Sequence, residues 1–312
     1  MSERIDNLTW LSARSMIQLR QQAKRLPLAS GKIHARQGGA YLSSFKGRGM
    51  EFDEARLYLP GDDIRNMDWR VTARTGQAHT KVFREERERP VLMWLDLNPS
   101  MMFATRGAFK AVVASRIATL LAWSAADNSD RIGALVFAGK EHTEMRPRLG
   151  KNAVLDLIGR IDRHTAWNDA EDDRDMNAAV SRLRKVSRPG SLVFMISDFR
   201  GFDDAARRNL ANIARHSDVV MIQVYDPVET ALPERGTYQV SDGQRIIRLD
   251  SADDKTREDY SQRHVERQNA LQQFCRQHRI YLLPVSTATD TTEQLQAGLG
   301  MRAGFTSQFR SA

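Results

Sequence analysis

The chain has one cysteine, Cys275, in 312 residues. No disulfide can close within it, which fits a reducing compartment. Cys275 lies in a helical pattern with Leu271 and Phe274 and reads as a small buried hydrophobe, not a nucleophile. No apolar run reaches the ~18 residues needed to cross a bilayer. The longest, residues 111–126, is cut by Ser115, Arg116 and Ser124. The opening MSERIDNLTWLSARSM has no apolar core of a signal peptide, so the expected location is cytoplasmic. There is no Gly-x-x-x-x-Gly-Lys phosphate loop and no Gly-x-Ser-x-Gly elbow. No Gly-x-Gly-x-x-Gly follows the first buried strand, which argues against a dinucleotide fold. The seven histidines show no metal spacing.

Charge is plentiful but mixed. Lys and Arg total 47 against 39 Asp and Glu, a net charge of +8. The basic residues are interleaved with acids, as in Arg84-Glu85-Glu86-Arg87-Glu88-Arg89, with no dense basic block. A basic nucleic-acid-binding protein therefore remains only an alternative reading. The 41% apolar fraction is ample for a packed core.

Residues 4–25 carry Leu8, Leu11, Met16, Leu19 and Ala23 broadly on one face, which predicts one helix ending at Pro27. Residues 47–90 are dense in charge, glycine and aromatics, with strand candidates at 52–58 and 79–83. From residue 90 the pattern alternates. Strands are expected at 91–95, 131–137, 191–196, 219–225 and 280–284. Helices are expected at 108–126, 151–164, 175–186, 203–216 and 252–279, with a hairpin at 236–250. This predicts an α/β fold: a parallel sheet with helices on both faces. Three regions follow: 1–87, a helix and charged segment packing on the main domain; 88–290, the sheet domain; and 291–312, a terminal helix or tail. Ligands of such sheets bind outside the carboxyl ends of the strands, which draws attention to Asp96 and Asp198.

The segment before the first sheet strand is the most distinctive. It reads Gly49-x-Glu51-Phe52, Arg56-x-Tyr58-x-Pro60-Gly61-Asp62-Asp63-x-Arg65-x-x-Asp68-Trp69, then Ala73-Arg74. Its opposite charges are too closely matched for a free linker. Asp62, Asp63, Arg65 and Asp68 are expected in a partly buried ion-pair network near the carboxyl edge of the sheet, with Trp69 as a packing anchor. Alternatively Glu51, Asp62, Asp63 and Asp68 converge around a metal as a metal-dependent hydrolase.

This segment resembles the signature of the "domain of unknown function 58" family. The likeness continues in Lys110 with its alanine-rich helix, Asp130-Arg131-Ile132-Gly133, Ser197-Asp198-Phe199 and Asp226-Pro227-x-Glu229, and spans about residues 30–285. Asp96-x-Asn98-x-Ser100 with Ile196-Ser197-Asp198 is similar to the metal-ion-dependent adhesion site of von Willebrand factor A domains. The resemblance implies a Rossmann-like sheet of that type, with Asp96, Asn98, Ser100 and Asp198 around Mg²⁺, a cation that prefers oxygen ligands. Asn98 replaces the usual middle serine, and Arg174 falls where a threonine ligand is expected. Thr165 lies upstream as a substitute. The resemblance also implies a MoxR-type AAA+ ATPase as partner. The function expected is a non-catalytic adaptor in the assembly of an unknown client protein.

Overall fold

The computed structural model describes residues 5–26, 50–85, 90–168, 175–232, 236–241, 246–251 and 253–308. In chain order the elements are α1 (Ala13–Gln18), α2 (Arg20–Ala23), β1 (Met50–Leu57), α3 (Trp69–Thr75), β2 (His79–Glu85) and β3 (Pro90–Asp96). Next are α4 (Lys110–Asp127), β4 (Arg131–Ala138), β5 (Glu141–Leu149), α5 (Lys151–Asp162), α6 (Met176–Val186) and β6 (Leu192–Ser197). The last are α7 (Asp204–Ala214), β7 (Asp218–Tyr225), β8 (Thr237–Ser241), β9 (Ile246–Asp250), α8 (Asp254–Gln277), β10 (Tyr281–Ser286) and α9 (Thr291–Gln308). They form two compact units: Met1–Ala35 with Arg89–Ala312, and Arg36–Glu88.

The larger unit is an α/β layer structure. Its six-stranded sheet has the order β10-β7-β6-β3-β4-β5. The first five are parallel, and β5 joins the edge antiparallel to β4. The sheet is therefore mixed, not wholly parallel as expected. The central strands are buried on both faces, as continuous apolar runs require. On one face Met93 and Leu95 pack with α1, α2, α4, α5 and α9; on the other Leu92 and Trp94 pack with α6, α7 and α8. Helix α4 is buried almost all round, the behaviour of a helix without a polar face. Gly133 sits where the β4–β5 register shifts. A Cβ there would come within 2.7 Å of the Leu92 side chain and 3.0 Å of the Met145 carbonyl oxygen, so only glycine fits the bulge.

The single helix expected over residues 4–25 is shorter and divided. Asp6 accepts hydrogen bonds from the Ser12 amide and the Ser12 and Ser15 hydroxyls, and Ser12 caps α1 through the Ser15 amide. These local bonds give residues 5–12 a turn in place of a first helical turn. Leu11, Met16, Leu19 and Ala23 still reach the core. Cys275 is buried beside Met221, and burial pushes its thiol up to about 12, in keeping with a packing role.

The smaller unit pairs β1 with β2 antiparallel, with a bulge between Phe52 and Glu54, and carries α3 between them. Among the described residues no helix is long and apolar enough to cross a membrane.

Candidate functional site

Strands β3 and β6 are neighbours in the sheet, so their carboxyl ends bring Asp96 and Asp198 to one edge. Both are buried, at 1% and 7% exposure. Asp96 Oδ1 accepts from the Asn98 amide (2.9 Å) and from Asn98 Nδ2 (2.6 Å), while Oδ2 accepts from the Ser197 hydroxyl (2.6 Å). Asn98 Oδ1 accepts from the Gly139 amide at 2.7 Å. Asn98 thus clips the end of β3 to the turn between β4 and β5.

The cation of this edge is a side chain. Lys110, the first residue of α4, is fully buried. Its Nζ donates to Asp198 Oδ2 at 2.9 Å and to Glu229 Oε1 at 2.7 Å. A positive charge at a helix N-terminus opposes the helix dipole; the two carboxylates offset that penalty and the desolvation of the ammonium. Arg200, 40% exposed at the rim, donates from Nη2 to Glu229 Oε1 at 2.7 Å, and its amide caps Asp198 Oδ1 at 3.0 Å. Glu229 is held by the Asp226 amide in a capping box. Asp226 in turn accepts from Thr105 and from Thr287 in the loop after β10. One network therefore stitches the loops after β3, β6, β7 and β10.

The electrostatics divide the two aspartates. Burial alone would raise Asp198, but the Lys110 ammonium and its hydrogen bond, with the Arg200 amide, hold it below the usual carboxylate range. Asp96 is pushed up, to about 7, first by burial and then by the negative charge of Asp198. Hydrogen bonds from Ser197 and Asn98 only partly oppose this rise.

The four residues expected around Mg²⁺ do gather, but oxygens of three of them, Asp96, Asn98 and Asp198, are engaged by neighbouring donors. Asn98 turns its amide nitrogen towards Asp96 and spends its oxygen on Gly139. Asp198 faces Lys110. Ser100 presents a buried hydroxyl beside the Asp198 carboxylate without a hydrogen bond of normal geometry. Among the described residues no three acidic, histidine or cysteine side chains gather as metal ligands. In this arrangement the donor set does not fit a hard divalent cation, which needs several free oxygens. Arg174 lies outside the described residues. Thr165 hydrogen-bonds the Glu141 carboxylate.

The signature segment is organised by capping. Asp62 accepts from Arg56 Nη2 at 2.7 Å and from the Leu59 amide, and Arg56 chiefly holds its carboxyl below the usual range. The turn at Pro60-Gly61 is closed in this way. Asp63 caps a 3₁₀ turn through the Arg65 amide, and Asp68 caps α3 through the Arg70 and Val71 amides. The Tyr58 amide donates to the Ala78 carbonyl. The Arg65 side chain is exposed, as is Arg74 in α3. This corrects the expected network: among the described residues Arg56, not Arg65, makes an ion pair with Asp62. Trp69 is 67% exposed and opens α3 directly after its cap, so it is no packing anchor. Glu51 lies in β1, its side chain outside the described set. Asp62, Asp63 and Asp68 each serve a separate turn.

Sequence reasoning named Lys110 and Glu229 only within the family likeness and missed their pairing with Asp198 and Arg200. The available signal was a lysine opening an otherwise apolar, alanine-rich helix.

An uncharacterized protein of Mycobacterium tuberculosis is 32% identical over 227 residues, covering 72% of this chain and 70% of its own length. A Mycobacterium bovis protein matches equally. Among solved structures, a conserved hypothetical protein BatB of Bacteroides thetaiotaomicron aligns with a TM-score of 0.44 at 14% identity, covering 70% of this chain and 99% of that one. An aerotolerance-related membrane protein of Bacteroides fragilis aligns with a TM-score of 0.45 at 12% identity, over the same shares. The family model described as "Protein of unknown function DUF58" matches residues 54–270, and the chain belongs to that family.

Proposed function

We propose that the chain is a non-catalytic protein-interaction module, an adaptor of a MoxR-type AAA+ ATPase in the chaperone-like assembly of a client protein. The observation that carries this reading is the buried Asp198–Lys110–Glu229 cluster at the carboxyl edge. A nucleophile or general base must present an available atom to a substrate. Here the strongest charges are spent on one another, and Arg200 carries them to the surface. The arrangement suits a rigid face better than a reacting one. On this reading the contact with a partner is independent of Mg²⁺, with Lys110 and Arg200 standing where a bridging ion stands in an adhesion site. A single contact of this kind is modest, and repetition around a ring-shaped ATPase raises it by avidity.

Pull-down of a purified MoxR-type ATPase from the same genome tests the reading. Retention is expected in the presence of a chelator and is lost with Arg200→Glu. Absence of retention with and without nucleotide overturns the partnership. Phosphoester, peptide or ester turnover that disappears in a folded Asp62→Asn or Asp68→Asn variant overturns the non-catalytic reading.

A further inference from the structure

We propose that His164 is a pH-sensitive latch, which holds residues 164–168 against the edge strand β5 near neutral pH and releases them in mild acid. His164 follows α5 and is buried, at 3% exposure. Its Nδ1 accepts the Ala166 amide at 3.2 Å and so caps the 3₁₀ turn Thr165–Trp167. An amide can only donate, so Nδ1 carries no proton and the ring's proton sits on Nε2. The ring is therefore neutral while the turn is closed. Nε2 is itself buried without a hydrogen-bond partner. A charged ring would face the Ala166 N–H with an N–H of its own, and would keep a second buried N–H without an acceptor. Asparagine or serine at a cap stays an acceptor throughout this pH range; imidazole does not. Several contacts depend on the turn. The Thr165 hydroxyl donates to the Glu141 carboxylate on β5, Trp167 Nε1 donates to the Ile161 carbonyl at 2.6 Å, and Ala166 is buried in the core.

The surrounding charges do not rescue a protonated ring. Burial holds the His164 pKa below its ordinary value, and the Glu141 carboxylate opposes this only in part. The alternate β5 residues His142, Glu144 and Arg146 are exposed. On α5, Arg160 pairs with Asp156, Asp162 accepts from the Ala13 amide, and Arg163 lies back along the helix towards Gly159. On α4, Lys110 faces Asp198 and Glu229, Asp127 pairs with Arg20, and Arg116 feels chiefly Asp290 and Asp6. Arg131, at the start of β4, and Arg14, on α1, are exposed. A base whose pKa is lowered in the closed state takes its proton first in the open one. The closed-to-open ratio therefore falls as pH drops below the ordinary value of about 6.5, by up to about tenfold at about pH 5.5.

Hydrogen exchange of the Ala166 amide in the full chain, referenced to the intrinsic exchange rate at each pH, tests this. Between about pH 7.5 and about pH 5.5 the wild type should lose protection by up to about tenfold. His164→Asn keeps an acceptor at the cap that does not titrate, and its protection should be equal at both. Nitrogen-15 NMR of the histidine rings reads the latch without a variant. At the higher pH the His164 ring should be the Nε2–H tautomer, and it should titrate below the ordinary range. An Nδ1–H tautomer, titration at or above about 6.5, or equal wild-type protection at both pH values overturns the proposal. So does an acid loss as large in His164→Asn, which would put the titrating group elsewhere.

Discussion

Lys110→Met isolates the charge at the centre of the site. The substitution keeps an unbranched apolar stem and deletes an ammonium that is fully buried between Asp198 and Glu229. Removing one partner of a buried ion pair costs about 3–5 kcal/mol, because the other is left charged in a poor solvent. The cost depends on pH with a definite sign. In the native protein the Asp198 pKa is depressed, so its stabilising contribution is present above the ordinary carboxylate range and lost as pH falls through the folded value. In the variant, burial acts on Asp198 against only the Arg200 amide and Ser100 and raises it, which penalises folding increasingly as pH climbs from about 4. Both effects widen the gap between the proteins towards neutral pH. Urea denaturation followed by circular dichroism, at about pH 4.5 and about pH 7.5, reads the gap directly. A loss below about 1 kcal/mol at the higher pH, within the range of ordinary mutations, refutes the reasoning; so does a loss equal at both. The variant also frees Asp198 Oδ2, near the Ser100 hydroxyl, while Glu229 keeps its bonds from Arg200 and the Asp226 amide. Mn²⁺ or Mg²⁺ is then expected to stabilise it, by about 2.7 kcal/mol at a hundredfold excess over Kd, while leaving the wild type unchanged.

Three further outcomes are expected. Asp96→Asn removes a carboxyl whose pKa is raised; wild-type stability should fall as pH rises from the ordinary carboxylate range towards 7, and thermal melts across that window should be flatter for the variant. Asp68→Ala should destabilise the smaller unit by about 1 kcal/mol through the lost cap on α3, whereas Arg65→Ala should shift it by less than about 0.5 kcal/mol, as at exposed sites; chemical denaturation showing the reverse order would restore an Arg65 network. Gly133→Ala should cost about 1–3 kcal/mol by overpacking against Leu92 and the Met145 carbonyl, and an unchanged unfolding midpoint contradicts the close approach described at the bulge.

Much of the fold was legible because burial leaves a pattern. The runs Val91–Leu95 and Ser191–Ile196 are apolar on both faces and announce central strands, and the apolar Ala111–Ala126 stretch announces a helix with no solvent side. Strand β5 carries no such pattern. Met145 alone among its residues is buried, because an edge strand needs few apolar side chains, and its Glu141, His142, Glu144 and Arg146 resemble a loop. The short α1 was hidden for a different reason: hydrogen bonds from Ser12 and Ser15 to Asp6 outweigh helical periodicity there. At the site, Asp96 and Asp198 could be placed from strand ends alone. Lys110 could not, since its partners lie 88 and 119 residues away along the chain, and a lysine in a helix ordinarily reads as solvated. Arg65 and Trp69 were misjudged because charge and aromatic content reveal composition but not which side chain faces inwards.

Both outermost strands of the six-stranded sheet contain a proline: Pro147 in β5 and Pro284 in β10. Proline has no N–H and is tolerated in a sheet where that donor would face outwards. A strand approaching either flank therefore meets an interrupted ladder, and on β5 it also meets a row of exposed charges. Exposed flanks are the usual route to strand exchange and fibrillar growth. Sealing them discourages self-association by sheet extension, during folding as well as afterwards. If the larger unit binds partners as proposed, its loops and helices, not its flanks, are the surfaces open to them.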